Sequence, residues 1–326
     1  MSKILIIGGT GAMGSYLVPK LAEDGHEIDV ISLEKKESTF INVKYIKGNA
    51  KDISGMEEIL KKKYDGIVDF MLYHSWEFRR FINMYLQSTD HYIFLSTYRV
   101  YADEEHPIIE SSPRLLDVSI DKGLWMTDDY CIYKANAENY LRSSAYHNWT
   151  IIRPAITYSH KRCQLLIHER SDLLPYFGTG KVLPLYSEAL GVQATMTWAG
   201  DVAEMQRRLL FNEKALCDDF NVTTSEHHTW REVADIYAEL FGLEYEETDE
   251  VTYILGRADI KKYLCSFGKI DINNCPAAVY QLRYDRMFNR IMDNTKVLNV
   301  TGMNKSEITS LYDGLKRERN SILEVE

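Results

Sequence analysis

A strand-like apolar run followed at once by a cluster of glycines constrains this chain more than any other feature. The run is KILIIG, and the glycines give Gly9-x-Gly11-x-x-Gly14 and the short-chain spacing Gly8-x-x-Gly11-x-x-Gly14. Glycine there permits a tight turn and lets backbone N–H groups approach a pyrophosphate, whose charge the next helix stabilises. We therefore expect NAD or NADP to bind at Gly8, Gly11, Ala12, Met13 and Gly14.

Strand-like and helix-like segments alternate through the first half of the chain. The strand candidates after the first are EIDVISL, VKYIKG, DGIVDFML, YIFLS and WTIIRP, with helix-like segments between most of them. Apolar strands that alternate with helices are typical of a parallel sheet covered on both faces. The expected fold class is α/β, a Rossmann-type doubly wound parallel sheet with a smaller mixed C-terminal substrate lobe.

The alternation breaks after Pro154, where residues 156–191 contain two prolines and several glycines without a clear period. Helices are predicted again for GDVAEMQRRLLF and HTWREVADIYAELFG, with the short strand DFNVT between them. We expect an NAD(P)-binding domain over 1–155 plus roughly 192–224, and a substrate-binding lobe over 156–191 and 225–326. The site would then occupy the cleft between the two.

Charge and composition exclude several classes of partner. The chain has 48 acidic against 38 basic side chains, a formal charge of -10, which disfavours nucleic acid and anionic membranes. No apolar stretch resembles a signal peptide or a membrane span. The five cysteines are scattered without a C-x-x-C pair, which argues against a zinc site or a disulfide framework. We expect a cytoplasmic protein with a small-molecule substrate and no metal.

The residue that selects between NAD and NADP falls at the end of the second predicted strand. An acidic side chain there normally binds the ribose hydroxyls of NAD, whereas a nearby arginine accommodates the phosphate of NADP. Ser32 occupies this position, and Glu34, Lys35 and Lys36 follow it. Ser32 and the two lysines favour NADP, whereas Glu34 favours NAD, so the sequence leaves the choice open.

Tyr130-x-x-x-Lys134 lies on a predicted helix, where side chains four residues apart share a face. Tyrosine is a poor base at neutral pH, but a nearby ammonium favours its phenolate. The pair is a workable acid/base for a substrate hydroxyl while a hydride moves to or from the cofactor. The same pattern begins at Tyr16 and Tyr312, but only Tyr130 follows the glycine turn and a strand ending in LSTYRVY.

In this order the motifs resemble those of the extended short-chain dehydrogenase/reductase family, which contains nucleotide-sugar epimerases and dehydratases. The matching stretches are IIGGTGAMGSYLV, GNAKD, LSTYRVY, YCIYK, IIRPAITY, WAGDVA and FNVTTSEHHTWREVA, and only about residues 245–285 have no counterpart. The resemblance implies that Thr97 holds the substrate oxygen against Tyr130 and that Lys134 also reaches the nicotinamide ribose. By position it extends the cofactor site to Ser32, Asn49, Ala50, Phe70, Met71, Leu72 and Pro154.

Basic residues after the sixth predicted strand are candidates to bind a nucleotide diphosphate. They are Lys161, Arg162, Arg170 and Lys181, and the planar guanidinium matches phosphate better than an ammonium does. Arg162 and Arg170 are therefore the expected substrate contacts.

Departures from the family pattern narrow the expected reaction. Tyr98 and Arg99 stand where the 4,6-dehydratases carry Asp-Glu, so sugar dehydration is disfavoured. Ala102 replaces a glycine, and Tyr158-Ser159-His160 replaces Tyr-Gly-Pro, so the resemblance says little about which substrate is bound.

The resemblance implies an NAD(P)-dependent epimerase or reductase that acts on a hydroxyl or keto group of a nucleotide-linked sugar. The alternative is a non-catalytic NAD(P)-sensing or RNA-associated relative. Thr97, Tyr130 and Lys134 argue against a sensor, and the charge of -10 argues against RNA. Dimers are common in the family, and the sequence itself does not determine whether a homodimer forms.

Overall fold

The computed structural model describes residues 1–256 and 277–324 of the chain. Its strands are β1 Lys3–Ile7, β2 Glu27–Ser32, β3 Val43–Lys47, β4 Tyr64–Asp69, β5 Thr89–Leu95, β6 Trp149–Ile152, β7 Ile156–Tyr158, β8 Gln164–Leu165, β9 His168–Glu169, β10 Val182–Tyr186, β11 Gln193–Ala194, β12 Met196–Trp198, β13 Asp218–Phe220, β14 His228–Thr229 and β15 Glu244–Thr248. Its helices are α1 Gly14–Glu23, α2 Ile53–Leu60, α3 Ser75–Gln87, α4 Leu115–Val118, α5 Lys122–Met126, α6 Tyr130–Arg142, α7 Arg170–Leu173, α8 Ala199–Leu209, α9 Trp230–Phe241, α10 Glu250–Gly256, α11 Ala277–Gln281, α12 Thr295–Thr301 and α13 Leu311–Leu323. No helix within these residues is long and apolar enough to cross a membrane.

The central sheet of the described residues contains seven parallel strands in the order β13-β6-β5-β4-β1-β2-β3. Alternate residues of β1 enter opposite cores: Ile4 and Ile6 pack with α1 and α8, whereas Leu5 and Ile7 pack with α2 and α3. Because helices cover both faces, β1 is apolar and buried from Ile4 to Ile7. The predicted Rossmann-type doubly wound α/β sheet is confirmed.

Small two-stranded sheets and a further core form much of the remaining described structure. The pairs are β10–β15, β11–β14, β12–β7 and β8–β9. Helix α9 contributes the predicted apolar stripe, with Trp230, Val233 and Tyr237 fully buried. A capping box between Thr229 and Glu232 begins this helix by satisfying two N-terminal N–H groups.

The predicted domain boundaries, 1–155 with 192–224 and 156–191 with 225–326, stay a prediction. Helix α8 packs against the central sheet and β13 extends its edge, whereas α9 packs in the further core. Residues 257–276 and 325–326 of the predicted lobe, with Cys265 and Cys275, lie outside the described residues.

A buried ion-pair network joins α6 to the central sheet. The Arg153 guanidinium, which follows β6, donates to both Glu138 carboxylate oxygens at 2.8 and 2.7 Å. It also lies 2.6 Å from an Asp219 carboxylate oxygen on β13, and Ser96 donates to Glu138 at 2.6 Å. Burial alone would raise the pKa of Glu138, but Arg153 and Ser96 outweigh it and lower the pKa to about 2. The ionised network thus holds α6, β6 and β13 together.

Replacing Glu138 with Gln should lower the free energy of unfolding at neutral pH by about 3 kcal/mol, because it leaves the buried Arg153 charge poorly compensated. The folded pKa of about 2 lies below the ordinary value of 4.5. The stabilisation is therefore complete above about pH 4.5 and is lost as pH falls towards 2. Urea unfolding at several pH values measures the difference between wild type and variant.

Glu58→Gln is the matched control, because Glu58 pairs with Lys61 on the surface and its side chain is 72% exposed. If both variants lost the same free energy of unfolding, the Glu138 network would stabilise the fold no more than a surface ion pair, which would contradict the prediction.

Candidate active site

The turn between β1 and α1 has the geometry that its glycines predict. Gly8 adopts a φ of +77°, a conformation that favours glycine, and its N–H donates to the Ile31 carbonyl at 3.2 Å. A Cβ on Gly14 would lie 2.4 Å from the Gly9 carbonyl oxygen, so only glycine lets α1 pack this closely. Within the described part of the chain, no side chain caps the N-terminus of α1 at Met13. The turn therefore fits the pyrophosphate of a dinucleotide.

Two cavities flank this turn. The first, which we call the cleft, has a volume of about 560 Å³, and the predicted site residues that line it are Gly8, Gly11, Ala12, Met13, Gly14, Phe70, Leu72, Thr97, Tyr130, Pro154 and Arg162. The second, which we call the side pocket, has a volume of about 590 Å³ and is lined by Gly8, Ser32, Asn49, Ala50 and Met71 of the predicted residues. The structure thus gathers residues predicted from distant motifs around one turn.

Thr97 and Tyr130 meet in the cleft because each stands at the start of a helical turn. Thr97 follows β5 and caps the turn Tyr98–Val100, since its Oγ1 accepts from the Arg99 N–H at 3.2 Å. Asp129 caps α6 in the same way and makes Tyr130 the first residue of that helix. Burial raises the pKa of Tyr130, whereas Arg99, a hydrogen bond with Thr97, and Arg162 oppose this rise. In the free protein Tyr130 is therefore a protonated phenol at neutral pH.

Arg99 lies against the Tyr130 ring, with its guanidinium carbon 5.2 Å from the ring centre. It pairs with Asp129 at 3.3 Å, and its Nε lies 3.5 Å from an Asp285 carboxylate oxygen. Asp285 is fully buried and also accepts from the Tyr98 hydroxyl at 2.9 Å. Arg286, which lines the cleft, and Arg290 pair with the same carboxylate. Three arginines, two of which line the cleft, therefore gather around the Asp285 carboxylate.

The sequence indicated Arg99 only as a departure from the family pattern, and it did not indicate Asp285 or Arg286 as site residues. The available signal was the spacing of arginines at 283, 286 and 290 around Asp285, which places several of them on one side of a helix. That pattern is equally typical of a solvated helix face, and it overlaps the end of the stretch without a family counterpart.

Lys134 lies on the same helix as Tyr130, four residues further on, and its predicted contact with the nicotinamide ribose stays a prediction. Its side chain is buried, and Nζ donates to the main-chain carbonyls of Met71, at 3.1 Å, and Leu95. Burial lowers the pKa of Lys134 to about 8, although Asp69 and Glu138 oppose the shift. The cations that act most on the Tyr130 phenol are Arg99 and Arg162, whereas the Lys134 ammonium braces the carboxyl ends of β4 and β5.

The two predicted substrate arginines have different environments. Arg162 lines the cleft, where its Nε lies 3.7 Å from a Glu169 carboxylate oxygen. The Arg170 guanidinium instead donates to the main-chain carbonyls of Ile322, at 2.9 Å, and Glu324 at the end of α13. Arg170 is not among the described residues that line the cleft, and its contact with substrate stays a prediction.

Comparison with known proteins agrees with this geometry. A family model described as NAD(P)H-binding matches residues 8–175, which is just over half of the chain. The chain belongs to this NAD(P)H-binding family. The predicted cofactor, NAD or NADP, is therefore confirmed. No curated protein sequence matches the chain significantly.

Solved structures share the fold along almost the whole chain. An epimerase from Methanothermobacter thermautotrophicus has a TM-score of 0.72 at 14% identity, with 98% of this chain and 91% of that one covered. The UDP-glucose 4-epimerase of Thermus thermophilus, in complex with NAD, has a TM-score of 0.68 at 17% identity and 98% coverage of both chains. A short-chain dehydrogenase/reductase superfamily protein from Agrobacterium tumefaciens with bound NAD has a TM-score of 0.64 at 14% identity, with 98% and 96% covered. At these identities the likeness shows a shared fold, and that fold is the one implied by the predicted resemblance.

The buried charge of Lys134 should make stability depend on pH. Because its folded pKa of about 8 lies below the ordinary value of 10.5, the ammonium destabilises the folded state below pH 8. The destabilisation disappears as pH rises from about 8 to 10.5, because the buried ammonium loses its proton there. Lys134→Met removes the charge, so wild type should gain stability relative to the variant by about 1.4 kcal/mol per pH unit between pH 8 and 10.

Urea unfolding at pH 7, 8, 9 and 10 measures this change. Lys316→Met, which alters the exposed lysine of the Tyr312 pattern, is the control and should follow wild type throughout. If the Lys134→Met and wild-type stabilities run parallel with pH, Lys134 is not a buried cation.

Proposed function

We propose that this chain is an NAD(P)-dependent enzyme that oxidises and reduces a hydroxyl-bearing carbon of a nucleotide-linked sugar, as an epimerase or a reductase. One observation carries the proposal. Thr97 and Tyr130 line the same cleft, of about 560 Å³, as the glycine turn. A proton-exchanging group beside a hydride carrier is the arrangement that alcohol–ketone interconversion requires.

Tyr130, Thr97 and Arg99 have separate roles in the proposed reaction. Bound NAD(P) supplies the hydride acceptor or donor. In the oxidising direction the Tyr130 phenol must first release its proton to solvent; the substrate O–H bond then breaks and its proton moves to this phenolate, while the C–H electron pair leaves as hydride for the oxidised cofactor. In the reducing direction the Tyr130 phenol returns the proton to the carbonyl oxygen. Thr97 would hold the reacting oxygen, and Arg99 stabilises the phenolate that forms or is consumed.

Features of the cleft support the choice of substrate. Arg162 lines it, and its planar guanidinium suits the diphosphate of a nucleotide sugar. The Thermus thermophilus protein of the same fold is a UDP-glucose 4-epimerase. Dehydration remains disfavoured, because Tyr98 donates its hydroxyl to Asp285 and Arg99 is a cation, so neither replaces the missing acid pair.

Incubation with a panel of UDP-, GDP- and dTDP-sugars, with each nicotinamide cofactor, tests the proposal. Formation of an epimer without net change in NAD(P)H absorbance indicates an epimerase, and loss of one NAD(P)H per sugar indicates a reductase. Either result supports the proposal. Cofactor binding without consumption of any sugar would contradict it and favour the non-catalytic alternative.

Tyr130→Phe should lower kcat by at least about 100-fold, because it removes the proton that the substrate oxygen exchanges. The dissociation constant of the cofactor should change little, since the ring remains. Tyr312→Phe is the matched control: Tyr312 begins the same Tyr-x-x-x-Lys pattern but bonds to Glu239 outside the cleft. Turnover by Tyr130→Phe at the rate of the control would exclude Tyr130 as the acid/base.

Arg99→Met should raise the pKa of Tyr130, because the Arg99 charge is the foremost group that lowers it. The base must be ionised for oxidation, so the rising limb of the kcat/KM profile should move to higher pH. Arg99→Lys retains the charge and should restore most of the profile. A merely structural role for Arg99 would lower the rate equally at every pH, and that outcome would contradict an electrostatic one.

A further inference from the structure

The side pocket is basic, although the chain as a whole is acidic. Three lysines, Lys35, Lys36 and Lys161, line it against one carboxylate, Glu34. The chain has a formal charge of -10, so this local excess of cations runs against the overall balance. The pocket shares Gly8 with the cleft, so a ligand at the glycine turn can extend into it.

The strand end that faces the side pocket carries no carboxylate. Ser32 is the last residue of β2, and it is 7% exposed. Its hydroxyl accepts from the Glu34 N–H at 3.2 Å and lies 3.5 Å from the Thr10 hydroxyl. A carboxylate at this position would accept from both ribose hydroxyls of NAD and would repel a phosphate there. Ser32 does neither.

Lys161 reaches the side pocket from a distant part of the chain. Its Nζ donates to the Thr10 carbonyl at 3.1 Å, across 151 positions of sequence. This bond places an ammonium beside the glycine turn. Lys36 has a contact of its own, with Nζ 5.1 Å from the centre of the Tyr45 ring on β3. Cations from two separate segments therefore converge on one cavity.

We propose that the side pocket binds the 2′-phosphate of NADP(H), and that the chain selects NADP(H) over NAD(H). The 2′-phosphate is a compact dianion, which three ammonium groups around a neutral serine would bind and which a carboxylate at Ser32 would exclude. The inference depends on the dinucleotide-binding turn and not on the catalytic role of Tyr130, so binding experiments test the two separately.

Titration of the full chain with NADPH and with NADH, by calorimetry or by nucleotide fluorescence, measures the selection. NADPH should bind at least about tenfold more tightly than NADH, and the difference should shrink as salt is added. Lys161→Gln and the double variant Lys35→Gln/Lys36→Gln should each weaken NADPH binding by about tenfold and NADH binding by less than about twofold. Ser32→Asp should reverse the preference, which a purely structural effect would not do.

Lys44→Gln is the matched control, because it removes an exposed lysine of β3 that does not line the side pocket. NADH binding as tight as or tighter than NADPH binding in the wild-type chain would overturn the inference. Equal weakening of both cofactors by the Lys161 and Lys35/Lys36 variants would also overturn it. An NADPH preference without sugar turnover would contradict only the proposed reaction, whereas turnover with an NADH preference would contradict only this inference.

Discussion

The ion pair between Glu138 and Arg153 fixes how the tyrosine-bearing helix α6 lies on the sheet. Tyr130, Lys134 and Glu138 follow one another at four-residue intervals and therefore share one face of the helix. Glu138 is bonded to Arg153, Lys134 bonds the carbonyls at the ends of two strands, and Tyr130 reaches the cleft. Because the far end of the face is held by a charged pair in the interior, the position of the phenol beside Thr97 depends on contacts well outside the cleft.

Local sequence signals predicted the fold and the glycine turn because both depend on residues that are close together in the chain. The apolar run of β1 and the obligatory glycine at position 14 each reflect contacts within a few residues or one strand spacing. The resemblance to the family then indicated Thr97 and Tyr130, which the structure brings into one cavity. Long basic side chains were harder to place, since Lys134 and Arg170 both find main-chain carbonyls that periodicity does not reveal.

The contacts that sequence reasoning missed join segments far apart in the chain. Arg99 reaches Asp285, which follows it by 186 positions, and Lys161 reaches Thr10 across 151. Neither separation follows the repeat of a helix or a strand. Each contact forms only once the central sheet and the further core have come together. Asp285 could not be distinguished in sequence from an ordinary surface acid, yet its carboxylate pairs with Arg99, Arg286 and Arg290.

The short segment from Ser159 to Arg162 contributes to both the side pocket and the cleft. Ser159 and Arg162 pair through their backbones at 2.8 and 3.1 Å, which fixes the two residues between them. His160 contacts the Tyr16 hydroxyl at 3.0 Å, Lys161 lies over the glycine turn, and Arg162 enters the cleft. Neighbouring side chains on one tight turn thus project into two different cavities. A shift of this backbone that moves Arg162 in the cleft would also move Lys161 in the side pocket, so the two cavities cannot be reshaped independently through this turn.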